Sequence, residues 1–191
     1  MAFINGITIK SVKRTFGHEG ELLYSGTIYC GNQKIGHWAQ DAWSGPDVVH
    51  LEKPYSPGKL NAAIAKANPD KAISGNSKSG KSYEIPYDIE LLMADLILLK
   101  SDEKEFNKAL REGYHGLFIY SDGYHCNYWY LPKKYTAYTD EQLKAVLSAE
   151  IEVAKKEFFK ETPGHEHIVR VYRSQDDFSI GSKITLKEIT E

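Results

Sequence analysis

The sequence predicts an α+β fold, in which a mainly antiparallel β-sheet (an N-terminal meander, a later hairpin and C-terminal strands) packs with three to four helices. Three observations predict it. The first forty residues alternate apolar and polar side chains around turn residues, helical periodicity occupies the middle of the chain and returns after Thr139, and regular βαβ alternation is missing. At 191 residues and 41% apolar composition, the chain is expected to form a single domain over 1–191 that buries a core without disulfides or metal.

In order, "FINGITIKSVKRTF" (residues 3 to 16) reads as the first strand, with Lys10, Lys13 and Arg14 on or near its solvent side. "LLYSGTIYCGNQKIGHWAQ" reads as strand, Gly31-Asn32 turn, strand, because Gly and Asn tolerate the positive φ of a tight hairpin. Ser56-Pro57 suits the start of a short helix through "KLNAAIAKA", which must stop near Asn68-Pro69. A flexible basic loop is expected over 69–86. Asp88 or its neighbours then open a helix in which Ile89, Leu92, Leu96 and Leu99 share a face. Ser101-Asp102 offers a second cap for "EKEFNKALREG", as a separate helix or as the continuation of one bent helix, with Gly113 at its stop. "GLFIYSDGYHCNYWYLP" is the clearest hairpin, around Asp122-Gly123. Thr139 to Gln142 resembles a capping box, and Leu143, Val146, Leu147, Ile151, Ala154 and Phe158 follow at helical spacing. "HIVRVYR" and a last strand "KITLKEI" close the chain.

Composition excludes several classes of function. With 24 Lys+Arg against 26 Asp+Glu, no whole-molecule field drives the chain onto nucleic acid or an anionic membrane, so any such binding needs a local patch. The most apolar segment, "IELLMADLILLK", is too short for a membrane span and carries Glu90 and Asp95. The start has no secretion-signal pattern, and two cysteines, Cys30 and Cys126, are too few for a disulfide scaffold. A cytoplasmic protein is expected, with one Cys–Cys bridge left open. Thirteen tyrosines, three tryptophans and seven phenylalanines supply stiff contact area with polar tips.

"GNSKSGKS", Gly75 to Ser82, satisfies the phosphate-loop pattern G-x-x-x-x-G-K-[ST]. Its surroundings do not. The motif needs a buried strand before it and a helix after it, whereas Pro69 lies upstream and Pro86 would fall in the second turn of the required helix. The stretch is therefore expected to be a loop whose Lys78 and Lys81 belong to a local basic excess that could meet phosphate backbones or an acidic protein face.

Other chemistry is thin. His165 and His167 stand at i, i+2 without a third ligand at diagnostic spacing, and His125 beside Cys126 would point to the opposite face of a strand, so neither a metal site nor a cysteine nucleophile is assigned. No catalytic residue and no cofactor are expected. On "YHCNYWY", Tyr124, Cys126, Tyr128 and Tyr130 alternate with His125, Asn127 and Trp129, so that one face packs on the core and the other is free for a partner, or both pack. "HWAQDAWSGPD" gathers Trp38, Asp41, Trp43 and Asp47 in a shaped loop, or uses its tryptophans as anchors. The residues expected to contact a partner are Trp43, Asp47, Lys78, Lys81, Tyr124, His125, Tyr128 and Trp129.

The stretch "ITIKSVKRTFGHEGELLYSGTIYCGNQKIGHWAQDAWSGPD" resembles small accessory proteins of phages and conjugative elements, through its "GHEG" loop, its "NQKIG" hairpin and the acidic, glycine-containing loop that follows. The resemblance covers about a quarter of the chain, rests on structural motifs and transfers no catalytic residue. It implies a non-enzymatic protein that binds a host protein or ribonucleoprotein complex, including inhibitors of CRISPR effectors and other defence systems. Two alternatives accompany that reading: nucleic-acid binding through the basic loop and first strand, and a nucleotide-binding enzyme built on Gly75 to Ser82.

Overall fold

A computed structural model of the protein describes residues 1–43, 45–76, 82–121, 126–157 and 168–191. It is α+β, as the sequence predicts, and divides into two compact units, Met1–Lys100 with Ser179–Glu191 and Ser101–Phe178.

The first unit opens with β1 (Phe3–Ile4), β2 (Ile7–Phe16), β3 (Leu22–Cys30), β4 (Gln33–Ala39) and β5 (Val48–Leu51). The expected single strand over 3–16 is broken at Asn5-Gly6, where φ is +52° and +76°, and Ile4 pairs with Ile7 across that two-residue turn. β2 to β4 form the expected meander, with Gly31-Asn32 closing the β3–β4 hairpin, and β5, a strand the sequence reading did not include, extends it. Helix α1 (Pro57–Ala67) begins after Ser56 and ends at Asn68, and it buries Leu60 and Ile64.

The segment expected as a flexible loop over 69–86 is more regular than that. A 3-10 turn at Pro69–Lys71 leads into β6 (Ile73–Asn76), which pairs antiparallel with β7 (Ser82–Ile85). Ser82 therefore enters a strand where a phosphate loop needs a helix. Residues 77–81, with Lys78 and Lys81, lie outside the described residues.

Helix α2 (Ile89–Arg111) is continuous. The Asp88 carboxylate accepts from the N–H groups of Glu90 and Leu91 and caps it. Ser101-Asp102 is interior and caps nothing, which settles the choice between two helices and one. Gly113, at φ +87°, ends the helix with Tyr114 N–H donating to Ala109 O and Gly113 N–H to Leu110 O, a Schellman motif.

The second unit holds β8 (Gly116–Ser121), β9 (Cys126–Leu131), α3 (Asp140–Val146), α4 (Ser148–Glu157) and β10 (Ile168–Tyr172). Its sheet has the order β10-β8-β9. The Thr139–Gln142 capping box is present in both directions. The one helix expected after it is two segments meeting at Leu147, which still carry Leu143, Leu147, Ile151 and Ala154 on one buried face; Val146 is exposed and Phe158 is outside the described residues.

The chain then returns to the first unit. β11 (Ser179–Ile180) runs parallel to β1 and completes the six-stranded order β11-β1-β2-β3-β4-β5. The expected last strand "KITLKEI" is instead the short helix α5 (Leu186–Ile189), begun by a second capping box in which the Glu188 carboxylate accepts from the N–H and hydroxyl of Thr185.

Candidate partner-binding site

Strand β9 concentrates the second unit's aromatic side chains. Among the described residues it pairs only with β8, from Ser121↔Cys126 to Gly116↔Leu131, so its other edge keeps alternate backbone N–H and C=O groups unpaired. Side chains leave it toward two differently built layers.

Toward one face go Asn127, Trp129 and Leu131. Leu131 joins the apolar cluster of Phe118, Tyr120, Leu143, Leu147, Ile151 and Ala154, and Trp129 packs against it with its ring 5.7 Å from Phe118, edge on. Toward the other face go Cys126, Tyr128 and Tyr130, on the side where α2 supplies Asp102 and Glu105. The Tyr130 hydroxyl donates to Glu105, which also receives Lys108 at 3.3 Å. That hydrogen bond and the lysine hold the Glu105 carboxyl below the usual carboxylate range. Beside them Asp102 is fully buried; it accepts from Arg170 Nε at 2.7 Å and from the Tyr172 hydroxyl at 2.8 Å. Burial first, then the charge of Asp102, pushes the Tyr172 hydroxyl well above its ordinary value.

Of the two alternatives the sequence leaves open for β9, the structure has the packed one: both faces are partly covered, and the strand's other edge is what remains open among the described residues. Tyr128 is 39% exposed, and its hydroxyl is pushed up to about 12 by burial, then by Cys126, Asp102 and Glu105. Two open clefts flank the edge. One, of about 460 Å³, is lined by Asn127, Trp129, Glu150 and Val153, the last of these 54% exposed. The other, of about 550 Å³, wraps the edge with Tyr114, Cys126, Tyr128, Tyr130 and Tyr135. Asn127 lines both, and its buried Nδ2 has no acceptor among the described residues. Such a donor is costly unless an incoming group accepts from it.

Of the expected contact residues, only Tyr128 and Trp129 come together here. Tyr124 and His125 lie outside the described residues, as do Lys78, Lys81, His165 and His167. Trp43 and Asp47 belong to the first unit and separate there. Trp43 is 75% exposed with its ring 3.8 Å from that of His18, and its N–H donates to Asp41. Asp47 instead accepts from Nε1 of the buried Trp38 at 2.6 Å; burial raises its pKa, against that hydrogen bond. Of the two tryptophans in that loop region, one anchors and one is displayed.

Both cysteines are free. Cys30 is buried, whereas Cys126 is half-buried and donates to the Ser121 hydroxyl at 3.3 Å. Sequence reasoning missed Asp102, Arg170 and Glu105. The one signal for them was the acid placed among apolar residues of a helical face.

Among the described residues no helix is long and apolar enough to cross a membrane, and no group of three or more His, Cys, Asp or Glu side chains is placed to hold a metal ion. No protein-family model, curated protein or solved structure matches the chain.

Proposed function

We propose that this chain is a non-enzymatic binding protein that grips a partner protein along the free edge of β9. The observation that carries the reading is a single strand edge bordered by Tyr128, Trp129 and Tyr130 between two clefts. Aromatic anchors beside open backbone groups suit an extended partner segment, which gains main-chain hydrogen bonds from the edge and side-chain pockets from the clefts. The resemblance of the N-terminal quarter to phage and mobile-element accessory proteins favours inhibition of a host defence complex as the form this binding takes, with a CRISPR effector as one such target. To test the site, a partner captured on the full chain is identified and its affinity measured for the wild type, Tyr128→Ala and Val153→Asp. Each variant is expected to bind about tenfold or more weakly. Unchanged affinity in both variants would remove β9 from the interface.

A second reading has its own observation. Lys13 and Arg14 are exposed on the part of β2 that extends beyond its pairing with the two-residue β1, which leaves a basic strand edge suited to phosphate contacts. Lys13→Glu with Arg14→Glu would then abolish binding to DNA or RNA, whereas salt-independent binding would exclude this reading.

A further inference from the structure

The outer face of the six-stranded sheet carries a straight cross-strand row, Lys10–Thr27–His37–His50, fixed by the pairs Lys10↔Thr27, Thr27↔His37 and His37↔His50. The two histidines stand directly opposite each other on β4 and β5, both are exposed, and both line an open hollow of about 380 Å³ with Ser25, Thr27 and Lys13. We propose that His37 and His50 chelate a divalent first-row transition-metal ion across the β4–β5 ladder.

Several features support this chemistry. Directly opposed strand residues have Cβ atoms about 4.5–5.5 Å apart, a spacing from which two imidazoles can reach one ion at about 2.0–2.1 Å. His37 Nδ1 lies 3.4 Å from the Thr27 hydroxyl oxygen. With Nδ1–H donating there, Nε2 presents its lone pair, the arrangement in which a neighbouring oxygen orients a ligating histidine. Glu52, two residues beyond His50, supplies nearby negative charge. It is paired with Lys34 at 2.6 Å. Lys10, the cation of the same row, is drawn over the Tyr29 ring, 4.2 Å from its centroid, and Lys13 stands one row further along the sheet. Among the described residues no third ligand converges on the pair, so water fills the remaining positions and the metal is exchangeable. Two imidazoles and water suit Cu²⁺, Ni²⁺ or Zn²⁺, whereas Mg²⁺ prefers an all-oxygen shell.

This inference is independent of the partner site on β9. The test titrates Cu²⁺, Ni²⁺ and Mg²⁺ separately into the full chain by calorimetry, with His37→Asn and His50→Asn as variants. Both positions are exposed, so an unchanged far-ultraviolet circular dichroism spectrum verifies that the variants fold. The expected result is saturable Cu²⁺ and weaker Ni²⁺ binding, no Mg²⁺ binding, and a loss of about tenfold or more in affinity in each single variant. A titration left unchanged by either substitution, or no saturable Cu²⁺ binding up to millimolar concentration, would overturn the assignment.

Discussion

The two units solve the problem of polar groups in opposite ways. In the first, the sheet buries Ile7, Ile9, Ile28 and Ile35 and sends Lys10, Thr27, His37 and His50 outward; its buried polar side chains Asn5 and Thr8 are short and bond to nearby backbone. In the second, a sheet of three strands is covered on one face by apolar helices, while its other face holds a buried carboxylate, a guanidinium and tyrosine hydroxyls. Its aromatic surface remains at the edge. The most exposed aromatic side chains, Phe16 and Trp43, belong to the first unit, whereas the second keeps a charge pair inside and shows Tyr128 at its sheet edge, where the proposed partner site lies.

The largest expected effect falls on the buried charge. Asp102→Ala leaves Arg170 without its partner and should cost about 3–5 kcal/mol, read by chemical denaturation. Replacing both members, Asp102→Leu with Arg170→Met, should recover most of that loss; if the double variant is no better than the single one, the pair is not what the cost comes from. The matching weak point of the first unit is a close approach of backbone. A Cβ on Gly36 would lie 2.2 Å from the His50 carbonyl oxygen, so Gly36→Ala should cost about 3 kcal/mol and loosen β5, seen as faster amide exchange at Val49 and Leu51. A smaller effect, about 1 kcal/mol, is expected from Thr139→Ala, which removes one half of the α3 capping box.

These sites also show what the sequence made legible. Turns and caps were, because their chemistry is local: Gly31-Asn32, Ser56-Pro57, Asn68-Pro69, Gly113 and Thr139–Gln142 act where they stand in the structure. Two local signals were overridden by alternation. Asn5-Gly6 sits inside an apolar–polar run that reads as one strand, and Thr185–Glu188 sits inside "KITLKEI", whose pattern of Ile, Leu and Ile reads as a strand although four residues are enough for the capped turn of α5. What depends on distant pairing was not legible. Asp102 resembles a helix cap until Arg170, 68 residues later, is placed beside it, and Trp38 and Trp43 differ because the first stands inside β4 with Asp47 folded back onto it. The half-covered state of both β9 faces likewise depends on helices supplied from other parts of the chain.

The smallest effects are those of pH, and they have opposite signs for Asp47 and Glu90 of the first unit and for Glu105 of the second. Burial, with mutual repulsion among Asp47, Asp88 and Glu90, raises the Asp47 and Glu90 carboxyls in the folded state. Their contribution to stability is therefore full below the unfolded carboxylate pKa and is lost as pH rises through the raised folded values. Glu105 is lowered by Tyr130 and Lys108, so its contribution is present above the unfolded value and is lost as pH falls through the folded one. Carbon-detected NMR titration should place Asp47 and Glu90 above, and Glu105 below, the ordinary range; the reverse order would contradict the packing described.

Whether the edge of β9 receives the partner is read from amide hydrogen exchange of the chain with and without that partner. New protection is expected to concentrate on Cys126–Leu131, where alternate amides of β9 lack a bond to β8. Protection confined to the β2–β5 sheet of the first unit, with β9 unchanged, would contradict it.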